Sequence, residues 1–122
     1  MGATPQLGWI QVDCEDPERL AAFWAALLAT DVRGRLGEPP QYVFLNAAGG
    51  DAARLSFQRV PQAKQGKNRI HFDLAVTDLE EATRSAVALG AIVVPGGDVH
   101  EHGMSWRVLR DPEGNEFCLV PE

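Results

Sequence analysis

The stretch Asn68–Glu81, NRIHFDLAVTDLEE, places a histidine two residues from an aspartate on an alternating segment. Strand alternation puts His71, Asp73 and Ala75 on one face and Ile70, Phe72, Leu74 and Val76 on the other. Imidazole beside carboxylate suggests two kinds of chemistry. His71 is suited to act as a general base whose tautomer Asp73 fixes and whose basicity it raises, or to bind a divalent cation. Cys118, in NEFCLV, adds a thiol that becomes a nucleophile only with a base within hydrogen-bond reach. Each residue also has a plainer role. His71 can line a pocket, Asp73 can bond Arg69, Arg107 or water, and Cys118 can be a small buried side chain.

The elements that must position these groups follow from periodicity. LGWIQVDC, residues 7–14, alternates as a strand, with Trp9, Gln11 and Asp13 on one face. Asp16-Pro17 opens a helix as N-cap and first residue, and PERLAAFWAALLA follows with Leu20, Phe23, Trp24, Leu27 and Leu28 at helical spacing, ending near Thr30. Consecutive Phe23 and Trp24 cannot share one helix face, so one packs inward and the other reaches a second surface, with core as the default for both. Three strands are expected around DVRGR, QYVFLNA and ARLSFQRV, separated by the turns Gly-Glu-Pro-Pro and Ala-Gly-Gly-Asp. The same order then returns. RIHFDLAV is a strand, Asp78 an N-cap, LEEATRSAVALG a helix closed by Gly90, and AIVVP, SWRVLR and NEFCLV three more strands, with DPEGN a turn. At one constant offset Trp9 aligns with His71, Asp16 with Asp78, Leu27 with Leu89, Phe44 with Trp106, Asp51 with Glu113 and Ser56 with Cys118. The chain is a duplicated βαβββ unit, with repeats at about 7–61 and 68–122 of one domain spanning 1–122.

Composition narrows the function classes. An apolar share of 45% and a charged share of 23% over 122 residues are those of a globular protein able to close a core without disulfides. A net charge of −6 argues against nucleic acid or an anionic membrane as partner. Cys14 and Cys118 have no CxxC spacing, the start MGATPQLGWIQVD lacks the pattern of a signal peptide, and no apolar run is long enough for a membrane helix. A soluble cytoplasmic protein is expected. No GxGxxG, P-loop, GxSxG or HExxH occurs, so nucleotide binding, serine hydrolysis and zincin chemistry have no support.

DPERLAAFWAALL, KNRIHFDLAVTDLEEA, LGA at 89–91 and W-x-V-L-x-DPEGNEFCLV together resemble the vicinal oxygen chelate superfamily, the group of glyoxalase I, extradiol dioxygenases and bleomycin- or fosfomycin-resistance proteins. The resemblance is closest to the glyoxalase-like branch and covers most of the chain. It implies an α+β fold in which two βαβββ repeats form an eight-stranded, U-shaped mixed sheet around a cavity, with helices outside. It further implies metal ligands from the first and last strand of each repeat: His, Glu, His and Glu in chain order. Those positions here hold Trp9, Ser56, His71 and Cys118, and only His71 matches. Indole offers no suitable lone pair, serine is a poor ligand, and one His with one Cys falls short of the usual ligand count.

Gln11, Asp13, Gln58 and Asp73 share the expected cavity face by alternation, so a site of His71, Asp73, Cys118 and Asp13 is conceivable, but a cavity kept without its metal is preferred. His100-Glu101-His102 lies in a Gly-rich segment, GGDVHEHGMS, which is expected to be a solvated loop and mobile lid rather than a metal site. Glu116, after a turn, is expected to be solvated. The expected function is metal-free binding of a small molecule by a pocket of Trp9, Gln11, Asp13, Ser56, Gln58, His71, Trp106 and Cys118. The alternative is a lyase-, isomerase- or dioxygenase-type enzyme using His71 with Asp73, and a weaker one is a dimerisation module without pocket chemistry. No cofactor is expected, with a divalent metal held open. The expected partners are a small molecule and a second copy of the chain in a homodimer.

Overall fold

The computed structural model describes residues 4–49 and 53–122, and the chain forms two compact units, 1–63 and 64–122. The Ala-Gly-Gly-Asp turn lies partly, and Asp51 wholly, outside the described residues.

In the first unit, strand β1 (Trp9–Cys14) leads to helix α1 (Pro17–Leu27), then β2 (Val32–Leu36), β3 (Tyr42–Leu45) and β4 (Arg54–Arg59). The helix starts where the sequence places it: the Asp16 carboxylate accepts from the Arg19 N–H and Pro17 takes the first turn. The sheet order is β1-β4-β3-β2, with β1 parallel to β4 and the remaining pairs antiparallel. Helix α1 packs Leu20, Ala21, Phe23 and Trp24 against the sheet residues Val43, Leu45 and Phe57. Phe23 and Trp24 are both buried and meet edge to face, 5.4 Å between centroids, so neither reaches a second surface.

The second unit repeats this order with β5 (Phe72–Val76), α2 (Leu79–Leu89), β6 (Ile92–Glu101), β7 (Met104–Arg110) and β8 (Glu116–Pro121). The Asp78 carboxylate accepts from the Glu81 N–H, and Gly90 closes the helix at φ 120°, which suits glycine. The sheet order is β5-β8-β7-β6, with β5 parallel to β8. The architecture is therefore α+β, two βαβββ repeats with a four-stranded mixed sheet and one helix in each. Phe117, Leu119 and Leu109 are buried on one face, and Arg107 on that same face of β7 reaches Glu80 and Thr83 of α2.

Two expectations need correction. The strand around His71 begins only at Phe72. Arg69 and Ile70 form a bend, so Ile70 is 76% exposed instead of lying with Phe72 on the apolar side. The segment GGDVHEHGMS is a hairpin and not a loop: β6 runs on to Glu101 through an irregularity between Val93 and Asp98. It turns through His102 and Gly103, at φ 51° and 75°, the two positive angles that a tight hairpin turn requires. Gly97 is buried in the irregularity, where a Cβ would meet Val94 O at 2.9 Å and Val108 O at 3.0 Å.

Candidate functional site

Alternation and register build the site. Asp73 on β5 pairs with Cys118 on β8, and Cys118 pairs with Val108 on β7, so the three side chains form a row across one face of the second unit. Residues at even spacing fill out this face: Glu116 and Val120 on either side of Cys118, and Trp106 then Met104 before Val108. Together with Lys67 and His71 they line a groove of about 360 Å³. One wall is apolar, made by Met104, Trp106, Val108 and Val120, while His71, Asp73, Cys118, Lys67 and Glu116 supply the polar groups.

His71 sits just before β5, and the chain ahead of it is tied down. The Asn68 side chain donates to Asn115 Oδ1 at 3.1 Å and accepts from the Glu116 N–H at 3.0 Å. The loop it grips is itself organised by Asp111, 2% exposed, whose carboxylate accepts from the Glu113 and Asn115 N–H groups and from the Asn115 amide. The motifs NRIHFD and DPEGNEFC thus meet in space and hold His71 against Cys118.

The His71 Nδ1 atom lies 3.1 Å from Asp73 Oδ1 and 4.0 Å from Cys118 Sγ. Asp73 therefore bonds His71 and not Arg107, which is engaged by Asp98 and Glu80. Burial first, then the Asp73 and Glu116 carboxylates, push the Cys118 thiol up to about 11, with Lys67 opposing. Cys118 is a protonated thiol at neutral pH. Glu116 is not free in solvent as expected. Lys67 bonds it and, with Arg110, holds its carboxyl below the usual range against the opposing effect of burial.

The remaining expected site residues belong to the first unit. Trp9, Gln11 and Asp13 of β1 pair in register with Arg54, Ser56 and Gln58 of β4, so these six share one face of that sheet. The Trp9 ring packs edge to face on Phe44 and carries the Arg54 guanidinium 4.4 Å above its centroid. Ser56 is wholly buried and its hydroxyl donates to Gln11 Oε1. Trp9 with Arg54 above it, and Ser56 with its hydroxyl committed to Gln11, do not fit the four-ligand set that the resemblance implies. His100 Nδ1 is 2.6 Å from Ser105 Oγ across the hairpin. Among the described residues the one group with metal-ligating geometry is His71, Asp73 and Cys118, their donor atoms all within 4.8 Å of one another.

Lys67, Met104, Val108 and Val120 were not singled out from the sequence. The signal for three of them was period two: Met104 and Val108 flank Trp106, and Val120 follows Cys118, each by two residues. No comparable signal marks Lys67, which precedes the strand. Among the described residues no helix is long and apolar enough to cross a membrane.

The chain was compared with known proteins. No curated protein matches it. Similar solved structures include a glyoxalase/bleomycin resistance protein/dioxygenase family enzyme from Burkholderia phytofirmans PsJN, 16% identical, with a TM-score of 0.75 over 96% of this chain and 98% of that one. The fosfomycin resistance protein FosX from Listeria monocytogenes is 16% identical, with a TM-score of 0.74 over 98% and 94%. A glyoxalase-related enzyme from Fulvimarina pelagi is 18% identical, with a TM-score of 0.72 over 98% and 89%. At such identities these likenesses speak for the fold, while the glyoxalase-like domain family matches residues 9–120 directly. The chain belongs to that family, and with it to the vicinal oxygen chelate superfamily.

Proposed function

We propose that this protein binds a small organic molecule in the groove of its second unit, without the four-ligand metal centre of its superfamily. The observation that carries this is the groove itself. Its volume of about 360 Å³ falls among ligand pockets, and an apolar wall facing a few polar groups is how such pockets combine affinity with orientation. Trp106 offers a flat surface for a planar or aromatic ligand, and Lys67 a cation for an acidic substituent. A likeness to a fosfomycin resistance protein supports a role in handling small molecules. Cys14 and Cys118, both buried and without a CxxC spacing, support a reducing, cytoplasmic setting, and exposed Leu36 and Ile92 support a homodimer.

The test is calorimetric titration with a panel of small aromatic carboxylates, amines and neutral heteroaromatics. Saturable binding that weakens at least tenfold in Trp106→Ala, with the fold intact by circular dichroism, is expected. Absence of binding across the panel, or binding indifferent to Trp106→Ala, overturns the proposal.

The His71–Asp73 contact of 3.1 Å favours a second function, proton abstraction with His71 as base and Asp73 as its orienting partner. Turnover of a bound compound that falls by about 10² or more in His71→Gln, with binding retained, is the result that function requires.

A further inference from the structure

The His71 ring offers one nitrogen to two partners. Nδ1 is 3.1 Å from Asp73 Oδ1 and 4.0 Å from Cys118 Sγ. A carboxylate only accepts hydrogen bonds, so Nδ1 carries the proton directed at Asp73. A Cys–His–Asp relay needs another arrangement, with the acid on one ring nitrogen and the thiol on the other. With both on Nδ1, a proton leaving the thiol has no lone pair to receive it there. Three different donor atoms gathered within 4.8 Å of one another are instead an arrangement that an ion can share.

Distances agree with that. Bonds of about 2.0–2.3 Å to a tetrahedral zinc ion put nitrogen and oxygen donors roughly 3.3 Å apart and nitrogen and sulfur donors roughly 3.6 Å apart. The separations of 3.1 and 4.0 Å lie within about 0.4 Å of these, and all three donor atoms fall within 4.8 Å of one another, so small side-chain shifts bring them onto one ion. The backbone fixes two of the donors, since Asp73 and Cys118 are register partners on hydrogen-bonded strands. Cys118 is 5% exposed and lines the groove together with His71 and Asp73.

We propose that His71, Asp73 and Cys118 form a three-donor site for a borderline-soft divalent cation, zinc in the first place, built wholly within the second unit. It goes beyond ligand binding in the groove, which needs no ion. It also differs from the superfamily's set, which draws on both repeats and does not include the Asp73 position. Imidazole nitrogen, carboxylate oxygen and thiolate sulfur are all zinc donors, and three protein ligands leave a position for water or a groove ligand. On binding, the thiol proton is released to solvent and the Nδ1 proton is exchanged for one on Nε2. One proton therefore leaves per ion.

The experiment loads untagged protein with Co²⁺ and, separately, Zn²⁺, removes excess ion, and measures metal per chain and the absorption spectrum. One ion per chain is expected, with a near-ultraviolet thiolate-to-cobalt charge-transfer band that Cys118→Ser abolishes. Asp73→Asn, a change at an exposed side chain, weakens affinity at least tenfold and keeps the test decisive should Cys118→Ser prove unstable. The double change His100→Gln with His102→Gln leaves the band unaltered. Failure to retain either ion, a band that survives Cys118→Ser, or binding that follows His100 and His102 overturns the site. The aromatic panel, titrated in the presence of a chelator, reports separately on the groove, so either proposal can fail alone.

Discussion

At the scale of single residues, the groove is governed by how strand neighbours alter one another. Cys118 lies beside Asp73 and Glu116 in a buried position, and its thiol is pushed up to about 11. A free cysteine titrates near 8.5, so the reactive thiolate of Cys118 in metal-free protein is scarcer at mildly alkaline pH by about two orders of magnitude. Alkylation at Cys118, mapped by mass spectrometry in the presence of a chelator, is expected to be slower than that of a free thiol by at least that factor. Its rate should climb about tenfold per pH unit toward 11 and not level off near 8.5. Asp111 works on the backbone. Its buried carboxylate accepts from two N–H groups of the DPEGN turn, and Asp111→Asn or Asp111→Ala is expected to cost about 1–3 kcal/mol in urea unfolding. Alternation made His71 and Asp73 legible as members of one face, and the resemblance to the superfamily placed Cys118 at the same cavity. The grip of Asn68 on Asn115 and Glu116 was not legible, because it joins residues far apart in the chain whose types alone say only "turn".

At the scale of elements, polar contacts fasten the second unit where apolar burial is thin. Helix α2 buries only Ala86, whereas α1 buries six residues. Arg107 compensates from β7, bonding Asp98 on β6 and Glu80 and Thr83 on α2 with a side chain 15% exposed. Arg107→Met leaves Asp98 and Glu80 without their shared cation and is expected to lower the urea midpoint, modestly because both carboxylates are more than half exposed. The Lys67–Glu116 pair adds a pH dependence. Its carboxyl is held below 4.5 in the folded state, so the pair stabilises above pH 4.5 and its contribution is lost as pH falls through the depressed folded value. Lys67→Met should lower stability at neutral pH by about 0.2–1 kcal/mol, in keeping with Lys67 being largely exposed, and flatten the acid side of the stability curve. Helix bounds were legible because Asp16, Asp78 and Gly90 are caps with a local mechanism. Strand β6 was not, since Gly96 and Gly97 read as a loop when they serve an irregularity in which only glycine clears two carbonyls. Gly97→Ala is expected to unfold more readily than the parent in thermal melts.

At the scale of the molecule, duplication was legible because caps, helices and strands recur at one offset although few identities do. The division of labour between the repeats was less so. Positions matched by that offset have diverged in opposite directions, Trp9 under the Arg54 guanidinium in one unit and His71 against Asp73 in the other. The expected homodimer predicts a sedimentation mass of two chains, falling toward one when exposed Ile92 is changed to Lys. Topology has a mechanical consequence as well. In each unit the first and last strands, β1 with β4 and β5 with β8, run parallel as hydrogen-bonded neighbours. Tension on the two ends of a unit therefore slides one strand along the other and loads every rung of the ladder together, in shear, instead of peeling rungs off in turn. Pulled from its ends, the chain is clamped twice over, and a thread drawn into a narrow pore would meet two successive points of resistance.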